Sequence, residues 1–178
     1  MTESESLRRA IHEEVALCPY DPQWPSQFAA ERERLLSLFP SQLLDVQHFG
    51  STAIPGMPAK PIIDILAGVG SMEVAESLVE PLLNSSYTTS AEFNATLIES
   101  RWFMRWANGR RTHHLHVVVL GGGEWRRRLH FRDALRSNSE LAYRYALLKH
   151  ELAVQYCADR EAYTHAKQEF VLSVVGDG

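Results

Sequence analysis

The sequence has few cysteines and no long apolar segment, and these absences exclude several classes of protein. Its two cysteines, Cys18 and Cys157, are too few for a disulfide framework and lack the spacing of a metal-binding pair. No apolar run approaches the roughly 20 residues that a membrane-spanning helix needs. The charged N-terminus, MTESESLRRAIHEE, has no signal-peptide core. We therefore expect a cytoplasmic protein that does not contact a membrane.

Glycine-rich phosphate loops are also missing from the sequence. None of its ten glycines belongs to a Walker-type loop or to a GxGxxG motif. No internal repeat, low-complexity segment or long linker divides the 178 residues, and the 45% hydrophobic content is typical of a globular chain. This length suits one domain with its own core.

The net charge of −4 conceals an uneven distribution of basic residues. Residues 1–100 hold 5 basic and 14 acidic residues, whereas residues 101–178 hold 13 basic and 8 acidic residues. Nine arginines but only two acids lie within residues 101–136. Such an excess attracts phosphates, nucleotides, nucleic acids or acidic metabolites. A solvated, charged helix face is the alternative interpretation.

Apolar periodicity predicts a mixed sheet between helices. Asp21-Pro22 marks a helix start, and the apolar residues that follow recur at helical spacing: Trp24, Phe28, Leu35 and Phe39. Strands are predicted at residues 43–49, 61–69 and 112–120. Three helical segments follow the GGG at residues 121–123. The sequence therefore predicts one α+β domain whose C-terminal third is helical.

One acid, Asp64, interrupts the apolar run PIIDILAGV at residues 61–69. Strand alternation places it on one face with Lys60 and Leu66. A buried, unpaired carboxylate costs on the order of several kcal/mol, so Asp64 needs a cation, a metal ion or several N–H donors. A metal-binding or catalytic carboxylate meets this need. A structural carboxylate that caps a turn or pairs with a core arginine meets it equally.

Histidines cluster in the segment RTHHLHV at residues 111–117. His114 and His116 are two residues apart on a predicted strand, so their side chains point the same way and that of His113 points to the other face. Two such imidazoles form half of a metal site. The alternative is one buried, hydrogen-bonded histidine and one exposed histidine. We expect His48, which precedes Gly50, to approach the same place.

Gly50, Ser51 and Thr52 follow the end of a predicted strand. Backbone N–H groups and hydroxyls at such a turn hold phosphate oxygens, and glycine allows close approach because it has no Cβ. These three residues are therefore candidates for phosphate binding.

The segment HFGSTAIPGMPAKPIIDIL, residues 48–66, resembles the signature of the GrpB family within the nucleotidyltransferase-like superfamily. Further segments resemble other motifs of that family: CPYDPQWPSQFAAERERL, RTHHLHVV, EWRRRLHFRDALRSN and REAYTHAKQEFV. The resemblance covers about residues 19–172. It implies a twisted mixed β-sheet flanked by helices in a GrpB-like domain at residues 19–178. Residues 1–18 lie outside the resemblance, and the four-residue spacing of Leu7, Ile11 and Val15 predicts a helical arm there. Some members of the family are joined to a dephospho-coenzyme A kinase domain.

The resemblance also implies a chemistry. In the superfamily, Gly-Ser is followed by two acids separated by one residue, and a third acid lies on a neighbouring strand. These carboxylates hold divalent metals that bind nucleotide phosphates and activate an attacking hydroxyl. Gly50-Ser51 and Asp64 match this pattern, but Leu66 occupies the position of the second acid, and His114 and His116 lie on what looks like the strand of the third.

This departure leaves the metal open. One carboxylate binds Mg²⁺ poorly, whereas Asp64 together with His48, His114 and His116 suits Mn²⁺ or Zn²⁺ better. Alternatively, the histidines bind phosphate or act as acid and base, and the metal arrives with the nucleotide. By resemblance, the catalytic candidates are Asp64, His114 and His116.

The basic residues then become candidates for binding a polyphosphate: Lys60, Arg105, Arg111, Arg132, Lys149 and Lys167. Arg132 has the alternative of pairing with Asp133 on its own helix. Tyr163 and Lys167 face one side of the last helix, where they line the cleft or close it.

Three functions follow from these observations. The first is an enzyme that transfers a nucleotidyl or phosphoryl group from a nucleoside triphosphate to a small acceptor with a divalent metal. The second is a non-catalytic nucleotide- or phosphometabolite-binding module of the same fold, because Leu66 replaces the second acid. The third, nucleic-acid binding through WRRRLHFRDALR, is disfavoured because Trp125 and Phe131 lie on the apolar side of that helix.

Overall fold

The computed structural model describes residues 16–176, and a five-stranded sheet with helices on both faces forms most of this part of the chain. The strands are β1 (Asp45–Phe49), β2 (Ile63–Val69), β3 (Tyr87–Thr88), β4 (Ser100–Ala107) and β5 (Arg110–Val119). The helices are α1 (Trp24–Leu38), α2 (Met72–Ser77), α3 (Val79–Leu83), α4 (Ala91–Ala95), α5 (Gly123–Ser137), α6 (Ser139–Gln155) and α7 (Arg160–Val175), with a 3-10 turn at Ser51–Ala53.

The sheet is mixed, and its strand order is β1-β2-β5-β4-β3. β2 and β5 run parallel, and the other neighbours run antiparallel. The register pairs Asp64 with both His114 of β5 and Phe49 of β1, and it pairs Leu66 with His116. Since paired residues point to the same side of a sheet, all five side chains share one face.

The face opposite Asp64 carries the main hydrophobic core. Ile63, Ile65, Ala67 and Val69 of β2 alternate onto this face and are buried against residues of α1, α2 and α3. On the Asp64 face, a second cluster joins Phe49 and Leu66 to α5, and a third packs α5 against α6 and α7. β2 is therefore apolar on both faces except at Asp64, where the helical third of the chain meets the sheet. The predicted mixed sheet with flanking helices is confirmed.

The expected N-terminal arm, residues 1–18, lies outside the described residues except at its end. Cys18 pairs with Ala59 in an isolated antiparallel bridge, whose two N···O distances are 2.8 and 3.0 Å. This bridge attaches residue 18 to the segment that leads into β2. No helix in the described part of the chain combines the length and apolarity needed to cross a membrane.

A buried acid, Glu31, joins α1 to β3 and β4. Its carboxylate accepts hydrogen bonds from Arg34 at 2.7 Å and from the Tyr87 hydroxyl at 2.9 Å, and it forms an ion pair with Arg105. Arg105 is paired with His113, so it points away from Asp64. The prediction that Arg105 binds phosphate is therefore wrong, because its guanidinium is used in this structural cluster.

The protonation of Glu31 makes this cluster sensitive to pH. Burial raises the pKa of Glu31, but the hydrogen bonds from Arg34 and Tyr87 and the charge of Arg105 outweigh burial, so the pKa lies below its ordinary value of 4.5. A lowered folded-state pKa means that the carboxylate stabilises the fold above its ordinary pKa. This contribution is lost as the pH falls through the folded-state pKa.

We expect Glu31→Ala to lower the free energy of unfolding at pH 7 by about 3 kcal/mol, because it leaves two guanidinium groups and a buried phenol without their acceptor. Urea unfolding followed by circular dichroism measures this loss. The difference from the wild-type protein should shrink as the pH is lowered below 4.5.

Glu33→Ala is the matched control, because Glu33 is exposed on the same helix. Its effect should stay within about 0.5 kcal/mol. Equal losses for the two variants, or a difference that does not change with pH, would contradict the structural role of Glu31.

Candidate functional site

The Asp64 carboxylate is held by a chain of two side chains from β5. Its Oδ1 lies 3.4 Å from Nδ1 of His114, and Nε2 of His114 lies 2.8 Å from Nη1 of Arg111. A guanidinium can only donate, so Nε2 accepts and the imidazole proton resides on Nδ1, where it points at Asp64. The order of donation is Arg111 to His114 to Asp64. His114 therefore uses both ring nitrogens within the protein.

The charges in this chain follow from burial and pairing. Burial would raise the pKa of Asp64, but the hydrogen bond from His114 and the charges of His114, His116 and Lys60 lower it to about 2. Burial lowers the pKa of His114 to about 4, against the opposing effect of Asp64. At neutral pH Asp64 is therefore a carboxylate and His114 an uncharged imidazole, in agreement with the hydrogen-bond pattern.

Gly50 brings the turn after β1 into direct contact with Asp64. Its φ is +72°, and a Cβ at this position would lie 2.3 Å from Oδ2 of Asp64. A side chain is excluded here both by the left-handed backbone and by the carboxylate. The next residue, Ser51, lies near the buried Tyr145 of α6 and acts on the pKa of its hydroxyl, which burial raises. The structure thus brings Gly50, Ser51 and Asp64 together, as the sequence predicts.

Three lysines lie within reach of the Asp64 charge, one from the segment before β2 and two from the last two helices. The ammonium nitrogens of Lys60 and Lys167 lie 4.9 and 4.6 Å from the ring centroid of Tyr163. The ammonium of Lys149 lies 5.3 Å from the ring centroid of Tyr145 and donates to the carbonyl of Pro58. The charge of Asp64 acts on all three ammonium groups.

Burial makes these lysines easier to deprotonate than exposed ones. It lowers the pKa of Lys149 to about 7 and that of Lys167 to about 8, and it takes the pKa of Lys60 well below its ordinary value. The charges of Arg111 and Arg160 lower the pKa of Lys60 further, and Asp64 opposes them. These lysines are therefore fully protonated only where negative charge lies beside them, and the charge of Asp64 acts in that direction on all three.

Three of the residues expected in the site have other partners. His48 pairs with Ile65 and so lies on the face opposite Asp64, where its ring stacks on Phe28 at 4.8 Å. Its Nε2 lies 2.8 Å from Oγ1 of the buried Thr52. The prediction that His48 approaches Asp64 is therefore wrong, and the Thr52 hydroxyl is directed at His48 and not at a phosphate.

Arg132 also serves the fold. Its guanidinium donates to Oε1 of Gln47 at 2.8 Å and to the backbone carbonyl of His48 at 3.0 Å, and it pairs with Asp133 at 2.9 Å. These contacts attach α5 to β1. The alternative in which Arg132 pairs with Asp133 describes this residue better than phosphate binding.

His116 lies on the same face as Asp64 but does not join the hydrogen-bonded chain. Its ring meets Phe49 edge-on at 5.4 Å, and among the described residues its buried Nδ1 has no hydrogen-bond partner. Burial takes its pKa well below the ordinary value of 6.5. Neither His114 nor His116 therefore carries positive charge at neutral pH.

The donor set around Asp64 does not fit a two-metal centre. Within residues 16–176, no group of three or more His, Cys, Asp or Glu side chains is placed to hold a metal ion. Both nitrogens of His114 are engaged, and Leu66 stands in the position of a second acid. Asp64 is thus the one carboxylate that β2 contributes to this face, and a single carboxylate binds a hard cation such as Mg²⁺ poorly.

Sequence reasoning missed Arg160 and the role of Tyr145. The sequence does contain a pattern that indicates the role of the tyrosines. Both α6 and α7 carry a tyrosine four residues before a lysine: Tyr145-Lys149 and Tyr163-Lys167. Residues four apart share a helix face, so each tyrosine ring supports the lysine that follows it. Arg160 carries no comparable pattern.

Comparison with known proteins gives a consistent family. The model of the GrpB protein family matches residues 14–176. The UPF0157 protein PA4798 of Pseudomonas aeruginosa is 40% identical over 94% of this chain and 69% of its own length. A dephospho-CoA kinase of Mycolicibacterium paratuberculosis is 30% identical over 92% of this chain but 46% of its own length. This chain thus spans about half of that longer relative.

Solved structures agree with the sequence comparison. The crystal structure of GrpB from Enterococcus faecalis matches with a TM-score of 0.79 and 31% identity, over 89% of this chain and 94% of that one. A cytoplasmic RNA terminal U-transferase matches with a TM-score of 0.50 and 14% identity, over 85% of this chain and 46% of that one. The second match shows a common nucleotidyltransferase-like fold. The chain belongs to the GrpB family.

Proposed function

We propose that this protein binds a nucleoside triphosphate beside Asp64 and transfers a nucleotidyl or phosphoryl group from it to a small acceptor. The observation that carries the proposal is the close approach of Gly50 to Asp64, whose charge reaches three lysines. Proteins of similar fold act on nucleotides: one is an RNA terminal U-transferase, and a poly(U) polymerase has been crystallised with Mg 3′-dATP bound.

Each part of the site has a role in this proposal. The lysines attract the phosphates, because the imidazoles near Asp64 are uncharged at neutral pH. Asp64 itself repels phosphate, so its carboxylate is useful only where a cation comes between the two. A divalent ion that arrives with the nucleotide would take one ligand from Asp64 and would polarise the phosphoryl oxygens. The protein residues hold and orient the ligands of this reaction.

His114 acts in this proposal as a positioning residue. It directs its Nδ1–H at Asp64 and receives a hydrogen bond from Arg111, so it fixes the orientation of the carboxylate without contacting a nucleotide. This arrangement corresponds to the outer hydrogen bonds that orient metal-binding carboxylates in other proteins.

A second candidate function is a non-catalytic nucleotide- or phosphometabolite-binding module. It is favoured by Leu66 at the position of the second acid and by the missing two-metal donor set within residues 16–176. The two functions differ in turnover. Release of pyrophosphate or phosphate from a bound triphosphate supports the enzyme, whereas binding without release, in the presence of varied small hydroxyl acceptors, supports the module.

We expect a nucleoside triphosphate with Mn²⁺ to raise the melting temperature, since a ligand at about 100 times its Kd adds about 2.7 kcal/mol to the free energy of unfolding. Asp64→Asn should remove the part of the shift that depends on Mn²⁺, because the amide is a poorer metal ligand. Differential scanning fluorimetry with and without EDTA measures both effects.

Asp133→Asn is the matched control, because Asp133 is 60% exposed on α5 and pairs with Arg132. This variant should keep the full Mn²⁺-dependent shift. If none of the four common ribonucleoside triphosphates changes the melting temperature of the wild-type protein, the proposed function is wrong.

The contact between Gly50 and Asp64 generates a second prediction. Gly50 and Gly56 both have positive φ, +72° and +79°, but a Cβ at Gly56 would meet no atom within 4 Å. Gly56→Ala should therefore cost about 1–2 kcal/mol from backbone strain alone. Gly50→Ala should cost more and should also abolish the triphosphate-induced shift, because the new methyl group displaces the carboxylate.

Chemical denaturation and fluorimetry on both variants separate strain from contact. Equal destabilisation by the two substitutions, with nucleotide binding retained in both, would show that the approach of Gly50 to Asp64 has no functional role.

A further inference from the structure

We propose that Lys60, Lys149 and Lys167 contact the phosphate groups directly and take over part of the role of metal ions, so that the protein binds a polyphosphate without a divalent ion. This inference rests on the proposed function, since it concerns the same site. It differs from the proposed function because the positive charge that binds the phosphates comes from the protein and not from a metal ion. The chemical class of ligand is a chain of two or more linked phosphates.

Lysine is rare in this chain, and the lysines that occur lie near Asp64. The chain contains three lysines against fifteen arginines, and all three lysines come from distant parts of the sequence to surround Asp64. The arginines that lie outside this site are largely engaged with acids and carbonyl groups, as in the pairs Arg101–Glu76 and Arg128–Glu124. Lysine carries a compact charge on a flexible stem, which lets several ammonium groups converge on one anion.

The ring of Tyr163 holds two of these ammonium groups close together. It is fully buried, with the nitrogens of Lys60 and Lys167 at 4.9 and 4.6 Å from its centroid. Attraction to the ring offsets part of the desolvation of each ammonium, but it does not offset the repulsion between the two. The hydroxyl of Tyr163 is buried and has no hydrogen-bond partner among residues 16–176. An anion in contact with both lysines would relieve their repulsion.

No acid of the described chain neutralises this cluster by direct pairing. None of the three ammonium groups forms an ion pair with a carboxylate of residues 16–176. Asp64 acts on all three through its charge, and one negative charge balances only one of them. Burial therefore favours loss of a proton from these lysines. A ligand with several negative charges would restore their protonation more fully than a single phosphate, so the cluster favours linked phosphates.

Asp64 then has opposite effects with and without a metal ion. With Mn²⁺ present, the carboxylate is a ligand to the ion and strengthens binding. Without a metal, the carboxylate is a negative charge beside the phosphates and weakens binding. If metal ions alone bound the polyphosphate, no binding would occur in their absence. Replacement of Asp64 would then have no effect on metal-free affinity.

The experiment uses isothermal titration of the full chain with inorganic tripolyphosphate, a nucleoside triphosphate and inorganic phosphate, each in EDTA and in Mn²⁺. We expect both polyphosphates to bind in EDTA and the single phosphate to bind far more weakly. Asp64→Asn should bind tripolyphosphate in EDTA about tenfold more tightly, because a neighbouring negative charge is removed. Comparison of the two polyphosphates shows whether a nucleoside adds affinity.

The lysines are tested by Lys60→Met combined with Lys167→Met, which should weaken binding in EDTA by roughly 100-fold through the loss of two charged contacts. Lys60→Arg combined with Lys167→Arg retains both charges and should recover part of the affinity. Lys149 is left unchanged, because its contact with Pro58 also supports the fold. The melting temperature of each variant shows that it remains folded.

A spectroscopic readout avoids mutation. Reductive methylation with ¹³C-formaldehyde keeps the charge of lysine and should label Lys60 and Lys167, which are partly exposed, but not Lys149, which is 1% exposed. Tripolyphosphate in EDTA should shift the methyl signals of Lys60 and Lys167, and unchanged signals would contradict the inference.

Each outcome separates the two proposals. Binding in Mn²⁺ but not in EDTA overturns the lysine inference and leaves the proposed function standing. Binding in EDTA that the double methionine variant retains also overturns the inference. Absence of binding under both conditions overturns the inference and the proposed function together.

Discussion

The carboxylate of Asp64 lies on a central strand with 27% of its side chain exposed, and the site is organised around the donors and positive charges that this partial burial requires. His114 supplies the hydrogen bond, Gly50 leaves the space, and lysines from three segments supply the surrounding charge. Each contribution comes from a different element, so the carboxylate also links the sheet to the helical third of the chain. Among residues 16–176, Asp64 is the acid whose charge raises the pKa of these lysines, so a neutral residue in its place would remove that support.

Strand periodicity explains why part of this site was accessible from sequence. Residues two apart on a strand share a face. The sequence therefore predicts that Asp64 lies on the same face as Lys60, and that His114 lies on the same face as His116. The parallel pairing of β2 with β5 brings these two sets of residues together. The side of the sheet to which His48 points depends on the register of β1 against β2. The register of two strands depends on the tertiary structure, so it cannot be deduced from the local sequence of β1 alone.

β4 shows a second limit of sequence reasoning. Its sequence, SRWFMRWA, carries large apolar residues on both faces, because Trp102 and Met104 pack on the Asp64 side while Phe103 packs in the main core. A strand covered on both sides loses the polar and apolar alternation by which strands are predicted. The position of Arg105 opposite Glu31 was therefore not available from sequence.

The arginine excess within residues 101–136 had suggested an anion site, but the structure uses many of these arginines to connect elements. Arg132 attaches α5 to β1, and Arg127 and Arg128 both pair with Glu124. A planar guanidinium with several donors suits such multiple contacts. A local charge count does not distinguish this use from ligand binding. The less numerous lysines, which a count overlooks, surround the carboxylate.

The order of the chain has a consequence for how the site comes into being. Lys60 and Tyr163, whose ring supports it, are more than one hundred residues apart in the chain, and Lys167 follows one helical turn after Tyr163. During synthesis, Gly50 and Asp64 therefore leave the ribosome well before the helix that carries Tyr163 and Lys167. The proposed anion site is complete only once α7 has folded, so a ligand of this site would stabilise the finished domain and not the unfinished chain.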